Sequence, residues 1–312
     1  MQQTTKVVTV TLNPAIDHSV VVDELKPGEV HRVRESRRQA GGKGVNVSTM
    51  LALGGHGSTV SGFLGSENAE IFEAHFLQHK LADAFVRVAG ETRVGIKILD
   101  HQAGTTDLNF PGVGIHVDDL AQLRGCLLKL AAPGVWFVFG GSLPLGLSVD
   151  DYTRLLSDLR GAGAKLAVDT SGPALAAAIQ LSVDLIKPNE HELADALGLA
   201  DARPQTVMAA VDSLAIDTVI LSMGSEGALF VSGGEKVLAQ TPVLEVVSTV
   251  GAGDSLLAGY LAGVLQGFSL EDRARSATAY AWSRLVSVEP SIPDSGELQM
   301  RMNAVKLQPQ TD

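Results

Sequence analysis

The chain has 312 residues, 45% of them hydrophobic and 4% aromatic, with 33 glycines and a formal net charge of −11. That length supplies one large core without requiring a second domain, and the acidic balance excludes the broad basic footprint of a nucleic-acid binder. A single cysteine, Cys126, excludes a disulfide framework and a Cys-based zinc site. In its helix-like stretch, Leu120–Leu130, it is expected to be a buried, inert thiol. The first residues, MQQTTKVVTVTL, lack the basic-then-apolar order of a signal peptide. No apolar run reaches the roughly 18 to 20 residues of a membrane span, so a soluble, cytoplasmic protein with no membrane partner is expected.

Lys6–Leu12 reads as the first strand and ends on Asn13, Pro14 and Asp17. Ser19–Arg38 has strand character on both sides of a Pro27-Gly28 turn. It carries Arg32, Arg34, Arg37 and Arg38, with Lys43 just beyond, against one acid, Glu35. Such a basic island suits a small anionic ligand or guards a strand edge. Gly41–Gly44 opens a helix, Val45–Leu53, but Gly44 stands where a Walker A motif needs Ser or Thr. What remains is a helix start able to hold an anion or sugar hydroxyls, or simply a cap. Ser58–Phe63 and Ala84–Val88 read as strands around a helix, Asn68–His79, whose His75 and His79 are expected on a solvent face. Thr92–Asp100 and Thr105–Phe110 form a hairpin around a His-Gln-Ala-Gly turn.

Strands at Val135–Phe139, Lys165–Asp169, Leu185–Lys187 and Asp217–Met223 then alternate with helices such as Asp150–Arg160 and one opened by Gly172-Pro173. Ala228–Val231 and Lys236–Gln240 form a hairpin expected at the sheet edge. Val243–Val247 reads as a strand leading into STVGAGDS and a buried helix, Leu256–Leu265. The alternation predicts an α/β fold: a doubly wound, mostly parallel sheet flanked by helices, in one domain over 1–312. The two stray hairpins, about 15–39 and 91–112, are expected to form a small β-sheet lid.

Ligands of doubly wound sheets bind beyond the carboxyl ends of the strands. There the sequence places Asn13 and Asp17, Gly140–Pro144, Asp169 and Ser171, Lys187–Asn189 with Glu190 and Glu192, and Ser222, Gly224 and Gly227. In GAGD, Gly251 and Gly253 let backbone approach a ligand at a helix start, where N–H groups are unpaired. Asp254 then either favours the helix dipole or accepts a proton from an attacking hydroxyl.

LNPAID (12–17), AGGKGVNV (40–47), GSLP (141–144), KPNEHEL (187–193), LSMGSEG (221–227) and STVGAGDS (248–255) occur in one order. With these motifs the chain resembles, along nearly its whole length, the ribokinase-like carbohydrate kinases of the phosphofructokinase B group. The resemblance implies that Asp254 is the catalytic base and that the backbone of Gly251, Ala252 and Gly253 forms an anion hole. It implies that Lys187, Asn189 and Glu192 serve the phosphates of ATP and Mg2+, Glu192 reaching the metal indirectly, and that Ser222, Gly224 and Gly227 line the nucleotide pocket. Asp17, Gly42 and Asn46 would hold sugar hydroxyls, and Lys43 and Arg93 the phosphate already on the sugar, assisted by Asn109 and Ser142. Ser248, Lys43 and Ser255 bring it nearer the phosphosugar kinases than ribokinase or adenosine kinase. The implied reaction is ATP-dependent phosphorylation of a ketohexose phosphate, fructose 1-phosphate first, with tagatose 6-phosphate and fructose 6-phosphate as alternatives. A catalytically silent sugar-phosphate sensor is the rival from another class. A homodimer formed through the lid is also implied.

Overall fold

Val-Val-Thr-Val-Thr is apolar or β-branched at every position, the pattern of a strand covered on both faces. Val7–Thr11 (β1) is accordingly buried along its whole length inside a ten-stranded sheet. The computed structural model describes residues 7–100 and 104–309. After β1 the chain leaves this sheet in Ala15–Val22 (β2) and Glu35–Gly41 (β3). It returns through Lys43–Leu53 (α1), Thr59–Gly65 (β4), Glu70–His79 (α2) and Ala82–Val88 (β5). It leaves again in Val94–Asp100 (β6) and Gly104–Asn109 (β7). Regular alternation follows: Val117–Leu130 (α3), Trp136–Gly140 (β8), Val149–Gly161 (α4), Lys165–Asp169 (β9), Gly172–Gln180 (α5), Leu185–Ile186 (β10) and Glu190–Leu197 (α6). Pro204–Val211 (α7), Thr218–Ser222 (β11), Ala228–Ser232 (β12) and Glu235–Gln240 (β13) come next. Ala252–Leu265 (α8), Leu270–Leu285 (α9), Ser295–Ala304 (α10) and Lys306–Pro309 (β14) complete the described chain.

The large sheet has the order β14-β13-β12-β11-β10-β9-β8-β1-β4-β5. From β11 to β5 every pairing is parallel, whereas β12, β13 and β14 join antiparallel. Alternate residues of each strand feed two cores. Phe137, Phe139 and Val168 pack with Leu155 and Leu156 of α4 and Leu175 of α5 on one face. Val138, Ala167 and Leu185 pack with Leu257 and Leu261 of α8 and Tyr280 of α9 on the other. The doubly wound α/β architecture read from the alternation is the one observed.

The lid is a four-stranded sheet, β3-β2-β6-β7, in which the two stray hairpins join through parallel pairing of β2 with β6. Its first hairpin differs from expectation. EVHRVR, residues 29–34, is not a strand; residues 23–34 form a largely exposed loop, and Val30 is 97% exposed. ESRRQAG pairs with β2 instead, because that register sets Ala40 opposite Ile16, and both pack in an apolar cluster with Phe72 and Phe76 of α2. Lys6 and the residues His101–Ala103 of the second turn lie outside the described residues.

Other expectations need correction. The β12–β13 hairpin is not the sheet edge, since β14 pairs onto β13. Val243–Val247 is an exposed loop rather than a strand: no described strand pairs with it, and Val243 is fully exposed. Cys126 is half-buried, not buried. His75 does not face open solvent. It is half-buried and hydrogen-bonded to Thr49 Oγ1 (2.8 Å), and burial, then His79, pushes its pKa down to about 4.

Candidate active site

Gly251, at φ +77°, caps α8 in a left-handed conformation that a side chain resists, and the helix begins at Ala252. The turn before it hangs on the end of α9: the N–H groups of Val247 and Ser248 donate to the Leu285 carbonyl (2.8 and 3.2 Å). Ser255 Oγ donates to the Gly251 carbonyl (2.8 Å) and locks the first turn from the other side. The Ala252 N–H turns back to the Thr249 carbonyl (3.2 Å), and the positive end of the helix dipole lies at this turn.

Asp254 stands in that first turn, 8% exposed, and accepts a hydrogen bond from Asn46 Nδ2 (2.7 Å). Close by lies a buried triad of charges. Asp169, at the end of β9 and 1% exposed, receives Lys43 Nζ at 2.7 Å and Lys187 Nζ at 3.2 Å. Burial alone would raise the pKa of Asp169, but Lys187 and then Lys43 outweigh it and hold the carboxyl low. Burial likewise opposes the charge of Lys43, yet Asp169 and Asp254 hold its pKa above the usual lysine value. Asp254 shifts the other way: burial, then repulsion from Asp169, raises its pKa against the pull of Lys43, Asn46 and Lys187. Two neighbouring carboxylates are thus pushed apart, one firmly ionised and one made more basic, the arrangement that equips a general base.

The glycines of GGKG serve close packing. A Cβ on Gly44 would lie 2.5 Å from Thr11 Oγ1, and one on Gly42 2.7 Å from Thr11 Cγ2. One on Gly140 would lie 2.7 Å from Lys43 Cβ. The start of α1 is pressed onto the ends of β1 and β8, and this delivers Lys43 and Asn46 to the strand edge. Lys187 reaches the same place from the end of β10; a Cβ on Gly253 would be 3.3 Å from its Nζ.

The lid supplies the opposite wall. Asp17 lies 3.6 Å from Lys97 Nζ, and burial raises its pKa against the attraction of Lys97 and Arg93. Gly95, opposite both Asp17 and Asn109 in the sheet, leaves space between them: a Cβ there would lie 3.6 Å from an oxygen of each. Arg93 donates to the carbonyls of Asn13 (3.2 Å) and Phe110 (3.4 Å). Asn13 Nδ2 in turn donates to Ser142 Oγ (3.1 Å). A small cavity bordered by Asp17, Asn46, Gly251, Ser255 and Arg284 connects lid and helix start.

The KPNEHE segment is first a piece of helix chemistry. Asn189 N–H donates to Glu192 Oε2 (2.9 Å) and Glu192 N–H to Asn189 Oδ1 (2.8 Å), a reciprocal capping box on α6. Ser222 lies beside it, its N–H donating to the Pro188 carbonyl (3.0 Å). Gly224 and Gly227 take positive φ in the turn leaving β11. Among the described residues, no three His, Cys, Asp or Glu side chains gather to hold a metal.

The expected residues therefore assemble along one strand edge, with one redistribution. Lys43, expected beside Arg93, is engaged by Asp169 near Asp254, whereas Arg93 belongs to the lid wall. Sequence reading missed three contributors. Asp169 was visible only as a polar strand end, and Lys97 as one position of an alternating strand. Arg284, deep in α9, carried no signal at all.

A model of the pfkB family carbohydrate kinases matches residues 4–288. The chain is 42% identical over 295 residues, 93% of either chain, to a 1-phosphofructokinase of Rhodobacter capsulatus. Its fold is similar to two solved structures of phosphofructokinase-2 from Escherichia coli. One is in complex with substrates and products (26% identity, TM-score 0.88), and the other is a tetrameric inhibited form (26% identity, TM-score 0.86). Each match covers 96% of this chain and 98% of the other.

Proposed function

The chain belongs to the pfkB family of carbohydrate kinases, and from that premise we propose that it phosphorylates fructose 1-phosphate with ATP, giving fructose 1,6-bisphosphate and ADP. One observation carries the chemistry: a buried carboxylate of raised basicity, Asp254, sits in the first turn of α8 against a Lys43–Asp169–Lys187 charge cluster. Asp254 accepts the proton of the sugar's 6-hydroxyl as that oxygen forms its bond to the γ-phosphorus and the bond to the β-phosphate oxygen breaks. The N–H groups of Gly251 and Gly253 and the ammonium of Lys187 stabilise charge on the moving phosphoryl group, and the Ala252 N–H joins them by leaving the Thr249 carbonyl. Asn46 orients Asp254 through its hydrogen bond. Asp17, Gly42 and Asn46 bind sugar hydroxyls, and Arg93 attracts the sugar's phosphate, with Asn109, Ser142 and Lys97 completing that wall, while Lys43, held by Asp169, serves the reacting end beside Asp254.

Lys187, Asn189, Ser222, Gly224 and Gly227 line the strand edge where ATP binds. Magnesium, when bound with the nucleotide, neutralises charge on the β- and γ-phosphates, and Glu192 would hold it through water. The lid excludes water that would otherwise take the phosphoryl group. No described helix is long and apolar enough to cross a membrane, in keeping with a soluble, cytoplasmic enzyme.

The decisive measurement compares kcat/KM for fructose 1-phosphate, fructose 6-phosphate and tagatose 6-phosphate side by side. Fructose 1-phosphate is expected to give the highest value. A higher value for either 6-phosphate would reassign the substrate, and ligand binding without ADP release would leave a sensor.

A further inference from the structure

Lys43, Lys187 and Asp169 compensate one another. Arg284 does not share in that balance. It lies in the last turn of α9, 6% exposed, and among the described residues it forms no ion pair; Asp254 is the acid whose attraction it feels, from further off. A guanidinium keeps its charge even when burial draws its pKa down, and a buried charge with no carboxylate in hydrogen-bond reach is costly unless something nearby uses it.

Its surroundings show what that is. Arg284 Nη1 donates to the Ser287 carbonyl. Its Nε lies against the backbone of Gly251: a Cβ there would be 3.3 Å from Nε. The neighbouring residue, Leu285, receives the N–H groups of Val247 and Ser248. The turn before the helix start is thus fastened by the end of α9, and the Arg284 guanidinium packs beside that fastening against Gly251. Arg284 also borders the cavity shared with Asp17, Asn46 and Ser255.

We propose that Arg284 is a positioning residue of the phosphoryl-transfer step. It packs against the Gly251–Gly253 turn and places a permanent positive charge beside it, at the rim of the cavity. Negative charge that shifts from the γ-phosphoryl oxygens towards the leaving oxygen is then stabilised through the peptide groups of the turn. This rests on the kinase reading above, and it adds to that reading a cation contributed by the chain itself.

The test compares Arg284→Met, similar in reach but uncharged, with Arg284→Lys, which keeps the charge. Melting temperature, kcat and both KM values are measured, together with calorimetric affinity for ADP plus aluminium fluoride as a mimic of the moving phosphoryl group. Arg284→Met is expected to lower kcat about 10- to 100-fold and to leave both KM values within about threefold. Its affinity for ADP plus aluminium fluoride should fall at least about tenfold, with ADP alone unaffected. Arg284→Lys, or low-millimolar guanidinium added to Arg284→Met, should restore part of kcat. A kcat within about twofold of the parent would overturn the proposal. So would a loss that tracks melting temperature and that neither lysine nor guanidinium relieves. If Arg284→Met does not fold, Arg284→Gln, also uncharged, takes its place in every comparison, and a kcat within about twofold of the parent overturns the proposal there too. If the parent enzyme phosphorylates none of the three sugars, the substrate reading fails, and the fluoride-complex comparison still decides the role of Arg284.

Discussion

In the proposed mechanism Asp254 meets two opposed demands. Its carboxylate must be basic enough to take a proton, and it gains that basicity from burial and from the repulsion of Asp169. The same terms make its ionised form unfavourable in the folded state. Because the folded pKa is raised, this group costs stability above that pKa, and the cost is relieved as pH falls through it. Asp254→Asn should therefore raise the melting temperature at neutral pH but not in acid, while lowering kcat by about 10²- to 10⁴-fold with ATP affinity retained; melting curves at two pH values and calorimetry check both halves. Activity should fall with decreasing pH along a limb displaced above the ordinary carboxylate range. Asp169→Asn removes a repelling charge and frees two lysines, so it should move that limb of the kcat/KM profile to lower pH. A limb that stayed in place would show that Asp169 does not act on the base. From the residues alone Asp254 stood between a helix-dipole acid and a base, and its reading as a base came with the resemblance carried by the six motifs. Asp169 was not, because its role comes from two lysines that arrive from α1 and β10 only after folding.

At the scale of elements, a residue's motif and its local duty overlap. Asn189 and Glu192 close a capping box on α6, which accounts for both residue types at that spacing without any nucleotide. Glu192→Gln separates the duties, since glutamine also closes such a box. Its unfolding should match the parent within about 0.5 kcal/mol, while the KM for magnesium–ATP rises about tenfold through loss of charge. Glu192→Ala should lose about 1 kcal/mol as well. Unchanged kinetics in the glutamine variant would leave Glu192 a cap alone. Strands apolar or β-branched at every position, such as β1, were readable from sequence because burial on both faces admits few other patterns. Val243–Val247 carries Glu245 and stays a loop; β14, from the far end of the chain, takes the side of β13, the strand that lies nearest in sequence. A partner supplied from elsewhere in the chain is what local pattern cannot show.

At the scale of the molecule, the lid raises the question of its outer face. In the observed register Ile96 lies opposite Leu108 and Val20 opposite Ile98, and these side chains share one face. Ile16 and Val94, at the base, belong to the cluster around α1 and α2. The outer residues remain partly open, and Leu108 is well exposed, so a second copy is the expected cover. Light scattering should find a dimer, and Leu108→Lys should convert it to a monomer of unchanged melting behaviour; a monomeric parent at micromolar concentration would refute lid-mediated pairing. That the two hairpins form a separate sheet was legible in their departure from the strand–helix rhythm. Their joining through β2 and β6 was not, since the pairing spans some eighty residues. The order of the large sheet has a further consequence for how the protein is made. From β8 onward, each new strand is laid beside the one before it, so the sheet grows outward in the direction of translation. The helix carrying Asp254 emerges after β13, and only then can it meet Asn46, 208 residues earlier. A nascent chain thus builds its strand edge first and, in the proposed mechanism, receives its base almost last.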